Sequence, residues 1–261
     1  MKHKYTAQLQ FNWKHILSHS IIFLSSVVVV YLLYKLHLIR STGPLSKFLI
    51  TLVILFLFEY ITLTRRSYQI AKGALDSGFF YCSFRQDQKS RQESDQFLKN
   101  IAQQNRRISI VCASGYDTFT RPETPLHEAI KSCTQARIIM LNPDSDQVKK
   151  RANEIGMSLD EYRNQMIKSL NFLKNIKQKK GNNIKVKFYN NAPFWKFIIL
   201  ENSEYVWIQQ YPNDRHVQDS PAFAFAYNKT RNQENIYTFF ERHFEKRWQR
   251  HSLQSCDLTK F

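Results

Sequence analysis

FWKFIILENSEYVWIQ, residues 194–209, reads as two β-strands joined by a tight turn. Side chains of an extended strand alternate between two faces, so Lys196 shares one face with the apolar Phe194 and Ile198. A lysine is almost never fully buried unless it is paired. The stretch therefore predicts a buried hairpin and leaves two interpretations of Lys196. Either its stem covers apolar neighbours at a sheet edge, or its charge is held there for a ligand.

Strands and helices alternate on both sides of this hairpin. Further apolar runs rich in β-branched and aromatic residues predict strands in RISIVCASG (107–115), ARIIMLNP (136–143), NIKVKFYNN (183–191) and PAFAFAYN (221–228). Helical patterns fill LHEAIKSCTQ (126–135), the region from about 145 to 180, and NQENIYTFFERHFEKRWQR (232–250). This alternation predicts an α/β domain with a mixed sheet over residues 105–261.

The N-terminal third has a different composition. Two apolar stretches, residues 16–36 and 48–64, approach the length that spans a bilayer, and Gly43-Pro44 lies between them as a turn signal. They predict a two-helix transmembrane hairpin over residues 1–66, followed by a polar helical connector over 67–104. Because no signal-peptide cleavage site follows the first stretch, we expect an integral protein of the inner or cell membrane with a cytoplasmic C-terminal domain.

The charge balance points to anionic partners. The chain of 261 residues has a net charge of +17 and a pI near 9.7, which favours phosphate-containing molecules, phospholipid headgroups or nucleic acid. Nucleic acid is the less favoured partner, because aromatic residues do not interleave with the basic runs at 149–151 and 177–180. The spacing of the four cysteines fits neither a zinc site nor a disulfide framework, so no metal or cofactor is predicted.

The spacing Phe194-x-Lys196-x4-Glu201 resembles the H-x-K-x4-D motif of phospholipase D-like phosphodiesterases. The order of predicted strands and helices from about 105 to 250 is similar to one lobe of that family. The resemblance implies that the first motif residue attacks phosphorus, the lysine holds phosphate oxygens, and the acid supports the site. A complete site uses two lobes, so the resemblance also implies a homodimer in which two copies of the motif meet.

This sequence departs from the motif at the residue that performs catalysis. Phe194 stands at the nucleophile position and cannot attack phosphorus, and Glu201 replaces the aspartate. We therefore expect a degenerate, non-catalytic phospholipase D-like domain. Its predicted work is to bind an anionic, phosphate-containing ligand, such as a phospholipid headgroup, through Lys196, and to signal or act at the bilayer.

Two other functions fit the same residues. An active phosphodiesterase, on lipid or nucleic acid, would use His216 with Lys196 and Glu201, with Asp219 orienting the histidine. A structural membrane scaffold would use none of them. Additional candidate ligand-binding residues are Arg215, in the loop after the hairpin, and three side chains near the point where the first strand hands over to a helix, where α/β domains collect ligands: Tyr116, Asp117 and His127.

Overall fold

The computed structural model describes residues 44–83, 88–181, 183–228, 234–250 and 253–260. Its helices are α1 (Pro44–Asp76), α2 (Gln88–Ala102), α3 (Tyr116–Phe119), α4 (Pro125–Ser132), α5 (Asp146–Glu154), α6 (Leu159–Lys180) and α7 (Ile236–Trp248). Its strands are β1 (Phe79–Ser83), β2 (Arg107–Cys112), β3 (Gln135–Leu141), β4 (Asn183–Tyr189), β5 (Trp195–Leu200), β6 (Tyr205–Gln210), β7 (Ala222–Ala226) and β8 (Gln254–Ser255). Short 3₁₀ turns lie at Val217–Asp219 and Leu258–Lys260.

In the described part of the chain, the strands form one eight-stranded sheet in the order β1-β7-β6-β5-β2-β3-β4-β8. Strands β2, β3 and β4 are parallel, whereas the other pairings are antiparallel. The predicted α/β domain with a mixed sheet is confirmed. The hairpin at 194–209 is β5 and β6, paired from Trp195–Gln210 to Leu200–Tyr205.

Helices cover both faces of the sheet, as its apolar alternation requires. On one face, Ile198 of β5 and Trp207 of β6 line a cavity together with Leu98 of α2 and Leu126 of α4. On the other face, the ring of Phe197 packs against Phe240 and Phe244 of α7, at centroid distances of 5.0 and 6.5 Å. The hydrophobic core thus occupies two layers, and β5 contributes side chains to both of them.

The predicted transmembrane hairpin is wrong. Within the described residues, no helix combines the length and the apolar character needed to cross a membrane. The second predicted span, 48–64, is part of the longer helix α1, in which Glu59 interrupts the apolar run and Arg65 and Arg66 follow it. The predicted integral membrane localisation and lipid-bilayer partner depended on this hairpin, so they lose their support as well. The first predicted span, 16–36, lies outside the described residues.

The segment predicted as a helical connector, residues 67–104, is not a single helix in the structure. It contains the end of α1, the edge strand β1 and the whole of α2. The chain divides between Lys72 and Gly73 into two compact units, so β1 and α2 belong to the same unit as the rest of the sheet. β1 joins the sheet by antiparallel pairing with β7.

Candidate functional site

Lys196 lies on a central strand, at the end of the sheet where the parallel strands β2, β3 and β4 have their carboxyl ends. β5 runs antiparallel to β2, and the pairing of Val111 with Phe197 places Lys196 beside Cys112 on the same face. The carboxyl ends of parallel strands are where α/β domains form ligand crevices. The Lys196 side chain is only 9% exposed there.

Two pockets share Lys196 in their walls. The smaller, which we call the His216 pocket, has a volume of about 30 Å³ and is also lined by His216, Tyr116 and Asp117. The larger, which we call the Lys196 pocket, has a volume of about 210 Å³. Leu98, Leu126, Ile198 and Trp207 give it an apolar floor, and Arg91 and Arg121 lie among its polar side chains. The smaller volume suits one or two water molecules, whereas the larger accommodates a small organic molecule.

The turn after β2 lines the His216 pocket, and the helix α3 that follows it lines both pockets. Gly115 has a left-handed φ of 67° and begins the short helix α3. A Cβ at this position would lie 2.3 Å from Cε2 of Phe119, so only glycine fits the turn as it stands. The N–H of Ala113 donates to the Tyr211 hydroxyl at 2.7 Å, which fixes the turn against the residue that follows β6.

The floor of the His216 pocket is rich in neutral hydroxyl and thiol groups. Burial raises the pKa of the Cys112 thiol to about 12, against the opposing charge of Lys196. Burial also raises the pKa of Tyr162 to about 12 and raises that of Tyr211 well above its ordinary value. The pKa of Tyr189 is raised in the same way; Tyr189 does not line the pocket, and its hydroxyl donates to the Cys112 carbonyl. All four groups keep their protons near neutral pH, so none of them acts as a base or a nucleophile there.

Arg151 is a buried residue that fixes the loop carrying His216. Its side chain is 4% exposed, and its guanidinium donates to Glu154 Oε2 and to the Arg215 carbonyl, both at 3.0 Å, and to the Pro212 carbonyl. The guanidinium carbon also lies 5.2 Å from the centre of the Tyr211 ring. In the sequence Arg151 belongs to the basic run 149–151, but only its neighbours Lys149 and Lys150 are exposed. The sequence offered no signal for this role, because the acceptors are backbone carbonyls distant along the chain.

Four of the predicted site residues converge and the others do not. Lys196, His216, Tyr116 and Asp117 line the His216 pocket together. The Arg215 guanidinium pairs with its neighbour Asp214 at 3.1 Å, and only its carbonyl meets the buried Arg151.

His127 and Glu201 have other partners. His127 is buried, with Nδ1 2.5 Å from the Phe119 carbonyl oxygen and its ring 4.7 Å from that of Phe172. Glu201 follows the far end of β5, where it accepts from Ser109 and Arg137, both at 3.0 Å. These contacts give both residues a part in packing and pairing within the fold.

The remaining motif positions also have other surroundings. Phe194 precedes β5 and is 60% exposed, so it is not the buried residue that alternation along the strand predicted. Asp219, predicted to orient His216, pairs instead with Arg91 at 3.0 Å. Among the residues that the structure describes, no group of three or more His, Cys, Asp or Glu side chains is arranged to hold a metal ion.

The fold and the pockets define an α/β domain with a cleft at the carboxyl ends of its parallel strands, lined by both basic and acidic side chains. The chain belongs to the family described as a domain of unknown function (DUF5919), whose pattern matches residues 118–255, more than half of the chain. No curated protein matches the chain. Among solved structures, it is similar to that of TrmBL2, an archaeal chromatin protein described as showing a novel mode of DNA binding. The two share 10% identity, 80% of this chain and 70% of that chain are covered, and the TM-score is 0.37.

Proposed function

We propose that this domain binds a small molecule carrying a phosphate or similar anionic group, without turning it over. The observation that carries the proposal is Lys196, whose nearly buried side chain lines both pockets. The ligand's anionic group would meet Lys196, and the rest of the molecule would occupy the Lys196 pocket.

The charge of Lys196 favours an anion at this position. A charged group removed from most of its water interacts more strongly with an opposite charge than it would on an open surface. Arg91 and Arg121 line the same pocket, where they pair with Asp219 and Asp117. Asp95 and Glu123 line it as well, so it is the nearly buried charge of Lys196 that favours an anion there. The apolar floor suits a ligand that joins its anionic group to a ring or a short hydrocarbon part.

The absence of a nucleophile at position 194 supports binding over hydrolysis. Phe194 has no group that attacks phosphorus, and its ring is exposed outside the sheet. The thiol of Cys112 and the phenols that line the cleft keep their protons near neutral pH. The phospholipase D-like resemblance therefore remains a prediction about ancestry and fold. The function that we infer alongside it is ligand binding.

Phenyl phosphate is a suitable probe because it joins one phosphate to one ring. We expect wild-type protein to bind it more tightly than inorganic phosphate in isothermal titration calorimetry. Lys196→Met keeps the apolar stem and removes the charge, so it should weaken phenyl phosphate binding by about 1.5–3 kcal/mol, roughly 10- to 150-fold. The matched control is Lys99→Met, an exposed lysine on α2, which should bind like wild type.

Two outcomes would contradict the proposal. Equal binding by wild type and Lys196→Met would make Lys196 a residue that covers apolar neighbours at the sheet. No binding of either phosphate compound by folded wild-type protein would favour a structural scaffold. Circular dichroism of each variant separates loss of the ligand from loss of the fold.

An active phosphodiesterase is the second candidate function, because His216 and Lys196 line the same small pocket. The test is turnover of bis(4-nitrophenyl) phosphate by wild type and by His216→Ala. We expect no turnover above the buffer rate from either protein. Turnover that disappears with His216 would establish the enzyme and overturn the binding-only proposal.

The resemblance to one phospholipase D-like lobe also predicts a homodimer, in which the Lys196 clefts of two copies face each other. Sedimentation equilibrium of the full chain checks this prediction. A monomer at high protein concentration would remove the family argument for a shared site. It would leave the phenyl phosphate experiment unaffected, because that experiment measures binding to one cleft.

A further inference from the structure

A group of exposed aromatic rings lies at the start of β5 and on the neighbouring helix α7. Phe194 is 60% exposed and Phe239 is 50% exposed. They belong to one connected cluster, because Trp195 contacts Phe194 at 5.2 Å and Phe240 at 6.4 Å between ring centroids, and Phe240 contacts Phe239 at 5.3 Å. Large aromatic rings are usually buried, so two on one patch mark it as a surface of interest.

A row of basic and ring-bearing side chains continues from this cluster along α7. Phe239, His243 and Lys246 are exposed and recur at spacings of four and three residues, which places them on one side of the helix. The exposed Arg250 follows two residues after the helix ends. The His243 ring stacks on Phe239, with 6.1 Å between centroids and 14° between planes. At about 1.5 Å per residue, Phe239 and Lys246 are roughly 10 Å apart along the helix axis.

The acidic residues of α7 lie on its other sides. Glu245 pairs with Arg137 of β3, and Glu241 accepts from the Tyr237 hydroxyl at 3.3 Å. The pKa of His243 is lowered, first by partial burial and then by the positive charges of Arg247, Arg250 and Lys246. The outward side of α7 is therefore basic as well as aromatic.

We propose that this surface, formed by Phe194, Phe239, His243, Lys246 and Arg250, binds single-stranded nucleic acid. The basic row complements the charge of a phosphate backbone, and the exposed rings offer planes on which unpaired bases stack. A duplex hides the faces of its bases, so it would engage the basic residues alone. This site is separate from the proposed small-anion site, since none of its five residues lines the Lys196 pocket or the His216 pocket.

The test uses the full chain, a fluorescein-labelled dT12 oligonucleotide, and fluorescence anisotropy over a range of salt concentrations. Phe194→Ala/Phe239→Ala removes the rings, and Lys246→Gln/Arg250→Gln removes two charges. The matched control, Lys89→Gln/Lys99→Gln, removes two exposed lysines from α2 on the opposite face. An abasic oligonucleotide of the same length separates stacking from charge.

We expect wild type to bind dT12 at least tenfold more tightly than the abasic strand. The ring variant should lose that preference while still binding both strands. The charge variant should weaken binding to both and flatten the dependence of log K on log salt by about 1.4, the value for two contacts to a single strand. The control should behave like wild type, and all four proteins should bind phenyl phosphate equally.

Three results would overturn the proposal. One is equal binding of dT12 and the abasic strand by wild type. Another is an equal loss of binding in the control variant, which would show attraction to net charge alone. The third is wild-type self-association that the ring variant abolishes without any change in dT12 binding, which would assign the surface to a second copy of this chain.

Discussion

At the scale of the single residue, Asn105 shows how much of the fold rests on one buried amide. Asn105 is only 2% exposed. Nδ2 donates to the Ile101 carbonyl at 2.5 Å and to Ser203 Oγ at 2.6 Å. Oδ1 accepts from the backbone N–H groups of Asn202 and Ser203 at 2.9 and 3.0 Å. One side chain thus ties the turn of the β5–β6 hairpin to the end of α2.

Asn105→Ala should lower the free energy of unfolding by about 1–3 kcal/mol, because buried N–H groups of the turn lose their acceptor. Urea unfolding followed by circular dichroism measures the change. Asn100→Ala, at an exposed position on α2, the helix that precedes Asn105, is the control and should stay within about 0.5 kcal/mol of wild type. A similar effect of both substitutions would show that the Asn105 bonds contribute little.

At the scale of the element, α7 has a capping box at its N-terminus and a row of buried aromatic residues along one side. The Asn235 side chain accepts from the Thr238 N–H, and the Thr238 hydroxyl in turn meets the Asn235 N–H, each at 3.0 Å. This reciprocal pair caps the helix. Tyr237, Phe240 and Phe244 are buried, because their spacing puts them on the side of the helix that faces the sheet. The same spacing leaves Phe239 and His243 on the outward side.

His243 should make the stability of the domain depend on pH. Its pKa in the folded chain lies below the ordinary value of 6.5, because partial burial of the ring against its neighbours and nearby cations disfavour the charged form. As the pH falls through 6.5, the unfolded chain therefore binds a proton first, and the free energy of unfolding decreases. His243→Gln removes this term. Urea midpoints should fall more between pH 8 and pH 5 for wild type than for the variant; parallel profiles would contradict the assignment.

At the scale of the whole molecule, the ends of the sheet are closed by segments far apart in sequence. β1 pairs with β7 at one edge, and β8 pairs with β4 at the other. Leu258, in the last 3₁₀ turn, is 4% exposed, and this turn packs against α6. The segment after α7 therefore belongs to the core of the domain.

Leu258→Ala should lower the free energy of unfolding by about 2–5 kcal/mol, the range for removing a buried leucine side chain. Lys260→Ala, an exposed residue in the same turn, should have little effect. Urea unfolding of the full-length variants checks both. Equal stability of the leucine variant and wild type would show that the segment packs only peripherally.

Part of this architecture could be predicted from the sequence, because apolar period and turn residues are local signals. They located strands β2 to β7 and helix α7, and they placed Lys196 among apolar neighbours. They did not indicate β1, which is short and partly exposed and gains its stability from pairing with β7. They also predicted a membrane hairpin from apolar stretches alone, which the described residues of α1 do not bear out.

The sequence by itself determined that Lys196 lies on an apolar strand, because side-chain alternation is a property of the backbone. Only the tertiary structure decided its companions. The pairing of β5 with β2 brings Lys196 beside Cys112, and the loop held by Arg151 adds His216 to the same pocket. The same geometry excludes Glu201, because five residues of extended chain separate it from Lys196 by roughly 16 Å and it points to the opposite face. Spacing along a strand determines which face of the sheet a side chain points to. Contacts between distant segments determine which side chains come together in a pocket.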